Sequence, residues 1–80
     1  MGKSKTIREL TDAMNAFVDD MGWYRSDSEF EQSPRNIAIS LSLEAAEVLE
    51  HFQWTGEADS DALAEELADV ALYLLQLAYL

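Results

Sequence analysis

The sequence predicts an all-α protein, and three observations carry that prediction. Apolar residues recur at helical spacing over three stretches, residues that favour helix ends flank those stretches, and no stretch shows the alternating pattern of a strand. The three glycines and the single proline lie outside the helix interiors. Eighty residues are enough for one small domain, and we expect residues 1–80 to form it.

The first helix is predicted from about Thr6 to Met21. Gly22 follows the last apolar position and suits a helix C-terminus. A polar loop from Trp23 to Gln32, which also carries three aromatic residues, follows. The apolar face that predicts this helix consists of Ile7, Leu10, Met14, Phe17, Val18 and Met21.

The second helix has the clearest start in the sequence. Ser33 is a favourable cap and Pro34 a favourable first residue. We expect this helix to continue through about Trp54 and to end at Thr55-Gly56.

The third helix is predicted to begin after a Ser60 cap and to run to the end of the chain. From Val70 to Leu80 it is apolar almost all the way round, so most of its surface should be buried. Two other short helices cannot cover it. The sequence therefore predicts a small helical hairpin or bundle subunit that is completed by oligomerisation.

Charge and composition exclude several functions. Sixteen acidic and five basic residues give a formal net charge of -11, which disfavours binding to nucleic acid or to an anionic membrane. The absence of cysteine excludes disulfides and thiolate metal sites. The apolar run at Val70–Leu80 is far shorter than the roughly 18 residues that a membrane span needs, and Met1–Thr6 does not resemble a signal peptide. We expect a cytoplasmic protein.

Two short acidic motifs are the strongest functional signal. Glu44 and Glu47 are three residues apart on the second predicted helix, and Glu66 and Asp69 are three apart on the third, so each pair projects from one side of its helix. Both pairs lie on narrow stripes bordered by apolar residues. No Lys or Arg follows Arg35, so a divalent cation is the natural counter-charge. Four carboxylates form a ligand set suited to Mg²⁺ or Mn²⁺.

The wider sequence resembles a known family. The chain is similar, over roughly residues 6–80, to the all-α, MazG-like nucleoside triphosphate pyrophosphohydrolases, and within them to the dCTPase-type branch. The resemblance rests on the spacing of the two acidic motifs and on the segments Ser33-Pro34-Arg35-Asn36, residues 40–47, Phe52-Gln53-Trp54 and residues 66–70 followed by Tyr73.

The resemblance implies a Mg²⁺-dependent enzyme that converts a (deoxy)nucleoside triphosphate to the monophosphate and pyrophosphate. It also implies a role in clearing unwanted nucleotides and assembly as a homodimer or homotetramer. The metal ligands would be Glu44, Glu47, Glu66 and Asp69, and Glu47 would also orient the attacking water. The substrate-binding residues would be Trp54 and Tyr73 near the base, Trp23 from the loop, and Arg35 and Asn36 at the pocket mouth.

The chain departs from the family pattern in two places. Many relatives carry a Trp-x-x-Phe-His segment before the proline, whereas here the segment is longer and Glu31 follows Phe30. The preferred base and sugar therefore stay open. Relatives also continue into a further helix that reaches the phosphates, and nothing follows Leu80 here, so we expect a weaker phosphate grip in this 80-residue form.

Three other interpretations of the acidic motifs compete with the enzyme. A non-catalytic acidic module could bind a structural metal or a basic partner, and a plain helical oligomerisation domain would need neither metal nor nucleotide. A ferritin-like di-iron bundle needs Glu-x-x-His pairs, but Val48 stands three residues before the single His51.

Overall fold

Three helices make up the structure, a computed structural model that describes residues 4–54 and 56–80. Helix α1 spans Ile7–Asp20, α2 spans Pro34–Glu50 and α3 spans Ser60–Tyr79. No strand occurs in the described residues. The predicted all-α class is confirmed.

A capping box begins α1. The Thr6 hydroxyl accepts a hydrogen bond from the Glu9 backbone N–H at 3.0 Å, and the Glu9 carboxylate accepts one from the Thr6 backbone N–H at 3.2 Å. Two N–H groups that a helix start would leave unpaired are thereby satisfied.

A glycine in the left-handed conformation ends α1. Gly22 has a φ of 77° and donates its backbone N–H to the Asp19 carbonyl at 2.9 Å, while Trp23 donates to the Val18 carbonyl at 3.2 Å. This pair of bonds is a Schellman motif. It confirms the predicted end of α1 and directs the loop that begins at Trp23.

Helix α2 begins as predicted but ends earlier. Ser33 caps it by accepting a hydrogen bond from the Asn36 backbone N–H at 3.2 Å. The predicted extension to Trp54 is wrong, because α2 ends at Glu50 and the next residues form turns. In those turns Phe52 donates to the carbonyl three residues back, that of Leu49, at 3.0 Å. The predicted helix end at Thr55 lies outside the described residues.

The cap of α3 also differs from the prediction. Asp59, not Ser60, is the cap, and its Oδ1 accepts hydrogen bonds from the backbone N–H groups of Asp61 at 2.9 Å and Ala62 at 3.1 Å. A carboxylate at this position also interacts favourably with the positive end of the helix dipole. Ser60 becomes the first helical residue.

Helix α3 is central to the packing. It packs against both α1 and α2, whereas α1 and α2 do not pack directly on each other within the described residues. The buried apolar core is small and consists of Met14, Val18 and Ile37. None of the described helices is both long and apolar enough to span a bilayer.

Candidate metal centre and the cavity beside it

Three carboxylates converge where α2 and α3 pack together. Glu44 lies in the middle of α2, and Glu66 and Asp69 lie one turn apart on α3. One carboxylate oxygen from each of the three lies within 4.8 Å of the others. We call these three residues the acidic cluster.

Burial leaves the acidic cluster short of partners. The Oε2 atoms of Glu44 and Glu66 are buried and have no hydrogen-bond partner. No Lys or Arg pairs with the cluster in residues 4–54 and 56–80, where Arg25 instead pairs with Asp27 in the exposed loop. Buried carboxylate oxygens without a donor or a counter-charge are costly, so this site suits a cation.

The electrostatics of Glu44 reflect the same conflict. Burial first of all, together with the adjoining Glu66 carboxyl and the charges of Glu47 and Asp69, raises the pKa of Glu44 from its ordinary value of 4.5 to about 7. Near neutral pH, Glu44 is therefore protonated in a substantial fraction of the molecules when no cation is bound. A divalent cation would displace that proton.

Glu47 lies at the rim of the acidic cluster. Its side chain is exposed and is not one of the three that converge, but it is close enough to Glu44 to influence its pKa. From this position Glu47 can contact solvent and could also reach a cation held by the cluster. His51, the single histidine, is half-buried directly after the end of α2 and does not belong to the cluster.

A cavity of about 400 Å³ adjoins the acidic cluster. Its walls are mainly apolar and aromatic, with a few polar groups, which is the typical lining of a small-molecule site. Asp69 belongs to both the cluster and the cavity wall, so a ligand in the cavity would lie next to the metal position. The lining residues are Met14, Phe17, Val18, Trp23, Phe30, Gln32, Ile37, Ser40, Asp69, Leu72, Tyr73 and Gln76.

The structure brings only some of the predicted substrate residues to this cavity. Trp23 and Tyr73 line it, and Phe30 makes an edge-to-face contact with Trp23 at a ring-centroid distance of 6.3 Å. Trp54 does not line it and is 87% exposed in the turns after α2.

Arg35 and Asn36 are also absent from the cavity wall. Arg35 is exposed in the first turn of α2. The Asn36 side chain donates a hydrogen bond to the Glu31 carbonyl at 3.0 Å, which fixes the loop before α2.

Sequence analysis did not identify two glutamines of the cavity. Gln76 is 2% exposed, and its Nε2 donates a hydrogen bond to Gln32 Oε1 at 2.7 Å. The sequence held a signal for Gln76, which is the one polar residue within the apolar run of α3. It also continues the face of Glu66, Asp69 and Tyr73 at spacings of three and four residues.

The fold and site define an all-helical protein in which facing helices form a carboxylate cluster beside an aromatic cavity. The sequence model of the MazG-like family matches residues 39–79, which is more than half of the chain. These residues include all of the acidic cluster. The chain belongs to the MazG-like family.

Two named relatives agree with this assignment. The chain is 36% identical over 83 residues to dCTP pyrophosphatase 1 of Rattus norvegicus, in a match that covers 91% of this chain and 46% of the relative. It therefore spans about half the length of the curated relative it matches. The crystal structure of a pyrophosphatase from Archaeoglobus fulgidus is 36% identical, has a TM-score of 0.72, and is matched over 98% of this chain and 76% of that one.

Proposed function

We propose that this chain is a subunit of a nucleotide pyrophosphohydrolase that hydrolyses a (deoxy)nucleoside triphosphate to the monophosphate and pyrophosphate in a Mg²⁺-dependent reaction. The observation that carries the proposal is the acidic cluster with its two unpartnered buried oxygens, directly beside an aromatic cavity. The names of the two relatives, both pyrophosphatases, support the same reaction class.

The residues present fit a divalent cation. Glu44, Glu66 and Asp69 would hold it, and Glu47 at the rim would complete the set. All are hard oxygen ligands, which favour Mg²⁺, with Mn²⁺ as a substitute. Once bound, such an ion supplies charge neutralisation and polarisation at the phosphates, which an acidic site would otherwise repel.

The chain's own residues provide binding and orientation. Trp23 and Tyr73 would contact the base in the cavity, so that the triphosphate extends past Asp69 to the acidic cluster. Glu47 would orient the attacking water and accept its proton. Trp54, Arg35 and Asn36 remain predicted substrate residues, and exposed Trp54 and Arg35 would need a movement or a second subunit to reach the base.

Exposed apolar surface supports an oligomeric enzyme. Large hydrophobic side chains remain exposed on all three helices, including Phe17, Leu49 and Leu74. Large apolar side chains that stay exposed in such numbers are typical of a surface that another subunit covers. We propose that residues 1–80 form one MazG-like domain that assembles as a homodimer or homotetramer, and that it clears nucleotides in the cytoplasm.

Pyrophosphate release from a panel of triphosphates, with Mg²⁺ and with chelator, tests the proposal. We expect Mg²⁺-dependent release by the wild type and a loss of about 100-fold or more in Glu66→Gln, since one charged ligand is removed. Glu65→Gln is the matched control, because Glu65 is exposed on the same helix and lies outside the cluster.

Two outcomes would contradict the enzyme. One is the absence of pyrophosphate release from every triphosphate with Mg²⁺ or Mn²⁺, and the other is an equal rate in chelator. A melting temperature that rises with Mg²⁺ while no triphosphate is hydrolysed would favour the non-catalytic metal-stabilised module instead.

A further inference from the structure

Gln76 is an unusual residue for the interior of this small protein. It is the one polar residue that is buried in the described part of the chain, and it lines the cavity. A buried amide is costly unless its donors and acceptor are paired, so its hydrogen bonds indicate how it is oriented.

A chain of hydrogen bonds fixes that orientation. Gln32 donates its Nε2 to the Phe30 carbonyl at 2.6 Å, and a carbonyl can only accept. The Oε1 of Gln32 therefore faces Gln76, which must present its Nε2 and does so at 2.7 Å. The Phe30 carbonyl, acting through Gln32, thus determines the positions of the nitrogen and the oxygen in the Gln76 amide.

The neighbouring Tyr24 is consistent with this orientation. Its hydroxyl donates to Asn15 Oδ1, so its oxygen remains available as an acceptor. Burial raises the pKa of Tyr24, and the Gln76 amide acts in the opposite direction, as a donor facing the hydroxyl oxygen does. The nitrogen of Gln76 therefore faces protein acceptors.

The oxygen of Gln76 has no such partner. No hydrogen bond from residues 4–54 and 56–80 ends on Gln76 Oε1. The cavity therefore has an oriented acceptor in a wall that is otherwise mainly apolar. A ligand group that fills this part of the cavity is favoured if it donates a hydrogen bond there.

We propose that Gln76 Oε1 accepts a hydrogen bond from the exocyclic amine of the substrate base, and that Gln32 is the positioning residue that holds it in that orientation. This inference rests on the proposed function. An oxo group at the same ring position would place oxygen against oxygen, so the site discriminates against it. Cytosine and adenine are therefore favoured over uracil and hypoxanthine.

The location of the acidic cluster limits how a base can avoid this contact. Asp69 borders the cavity and belongs to the cluster, so a triphosphate that reaches both would be anchored at its phosphate end. A shift that brought the ring N–H of an oxo base to Gln76 would move the phosphates relative to the cluster, and we expect that shift to be unfavourable.

Two pairs of triphosphates that each differ by one group test the proposal. The measurement is the ratio of kcat/KM for dCTP over dUTP and for dATP over dITP. We expect the wild type to favour the amino base about 10- to 100-fold in both pairs, the range that one matched or mismatched polar contact supplies. In Gln76→Met both ratios fall toward one, mainly because KM for the amino substrates rises.

Gln32→Met separates positioning from a merely structural role. Without its anchor the Gln76 amide can turn over, so we expect kcat/KM for dUTP and dITP to rise relative to the amino substrates. If Gln32 had only a structural role, Gln32→Met would lower kcat/KM for all four triphosphates together. Leu75→Met is the control for substitution on α3, because Leu75 does not line the cavity, and it should keep the wild-type ratios.

Calorimetric titration of dCMP and dUMP distinguishes failure of this inference from failure of the proposed function, since it needs no turnover. Tighter binding of dCMP that is lost in Gln76→Met supports the inference even if no triphosphate is hydrolysed. Equal affinities for the two monophosphates in the wild type would overturn it. Ratios in Gln76→Met that match those of Leu75→Met would overturn it as well, whether or not pyrophosphate is released.

Discussion

Glu44 shows the energetic conflict within the acidic cluster at the level of one residue. Glu44 is half-buried on α2, which packs on α3, but its carboxylate is partly desolvated and lies among other acids. Its pKa of about 7, against an ordinary value of 4.5, measures that conflict. Functional sites commonly hold such groups, because the ligand relieves the unfavourable energy.

The first prediction concerns pH. Between pH 4.5 and about 7 the folded chain retains a proton on Glu44 that the unfolded chain has released. The stabilising contribution of that protonated group is therefore complete below pH 4.5 and is lost as the pH rises to about 7. Without divalent cations, we expect the melting temperature to fall across this window.

A comparison of variants isolates the contribution of Glu44. Glu44→Gln should show a smaller fall in melting temperature across the window, whereas Glu65→Gln should follow the wild type. Thermal unfolding followed by circular dichroism measures both. If the melting temperature fell equally with pH in the wild type and in Glu44→Gln, the pKa of Glu44 would not be raised in the folded chain.

The second prediction concerns Glu47. If it orients the attacking water, Glu47→Ala lowers kcat by about 100-fold, with a smaller effect on KM. Glu50→Ala, one turn further along the exposed side of α2, should retain wild-type rates. A change in KM alone would instead show that Glu47 acts only in binding the substrate.

At the scale of elements, α3 organises both halves of the site. Glu66, Asp69, Tyr73 and Gln76 follow one face of this helix, the first two at the acidic cluster and the last two at the cavity. Spacings of three and four residues keep side chains on one face of an α-helix. The position of α3 therefore fixes how the acidic cluster lies relative to the cavity.

The third prediction concerns the start of α3. Asp59→Ala removes the acceptor of two backbone hydrogen bonds and should lower the free energy of unfolding by about 1 kcal/mol. Ser60→Ala should have little effect, since Ser60 is not the cap. Urea denaturation measures the free energy of unfolding of both variants. A larger loss in Ser60→Ala than in Asp59→Ala would show that Ser60 is the cap, as the sequence predicted.

At the scale of the whole molecule, the single chain buries little. Among residues 4–54 and 56–80, three apolar side chains are buried in the core, while many large apolar side chains remain exposed. Small domains have difficulty in burying enough surface, and association is one common remedy.

The fourth prediction follows from that surface. Sedimentation analysis should give the mass of a dimer or tetramer at micromolar concentration, and Leu74→Glu should lower that mass. Leu74 is more than half exposed on α3, which makes it a suitable probe. Ser26→Glu, in the exposed loop, is the control for added charge. A monomeric wild type would contradict the proposed assembly.

The sequence predicted what local chemistry determines. Apolar periodicity and the residues Ser33, Pro34 and Gly22 located the three helices. The acid spacing predicted one site from four acids, Glu44, Glu47, Glu66 and Asp69, and the structure brings three of them together while Glu47 stays at the rim. The predicted end of α2 was wrong. Apolar residues continue past Glu50, but the backbone hydrogen bonds change there to the tighter spacing of turns.

The cavity could not be predicted in the same way. It forms because the loop that carries Trp23, Phe30 and Gln32 folds against α3, and such a contact depends on tertiary structure rather than on local pattern. The stripe on α3 could have been extended to Gln76, but its partner Gln32 lies 44 residues away in sequence.

Titration with Mn²⁺, followed by the electron paramagnetic resonance signal of the free ion, measures metal binding by the acidic cluster. We expect saturable binding by the wild type and by Glu65→Gln, and a loss of that binding in Glu66→Gln. Wild-type protein that leaves the free-ion signal unchanged, or a Glu66→Gln variant that binds Mn²⁺ as the wild type does, would contradict the claim that the acidic cluster is a metal site.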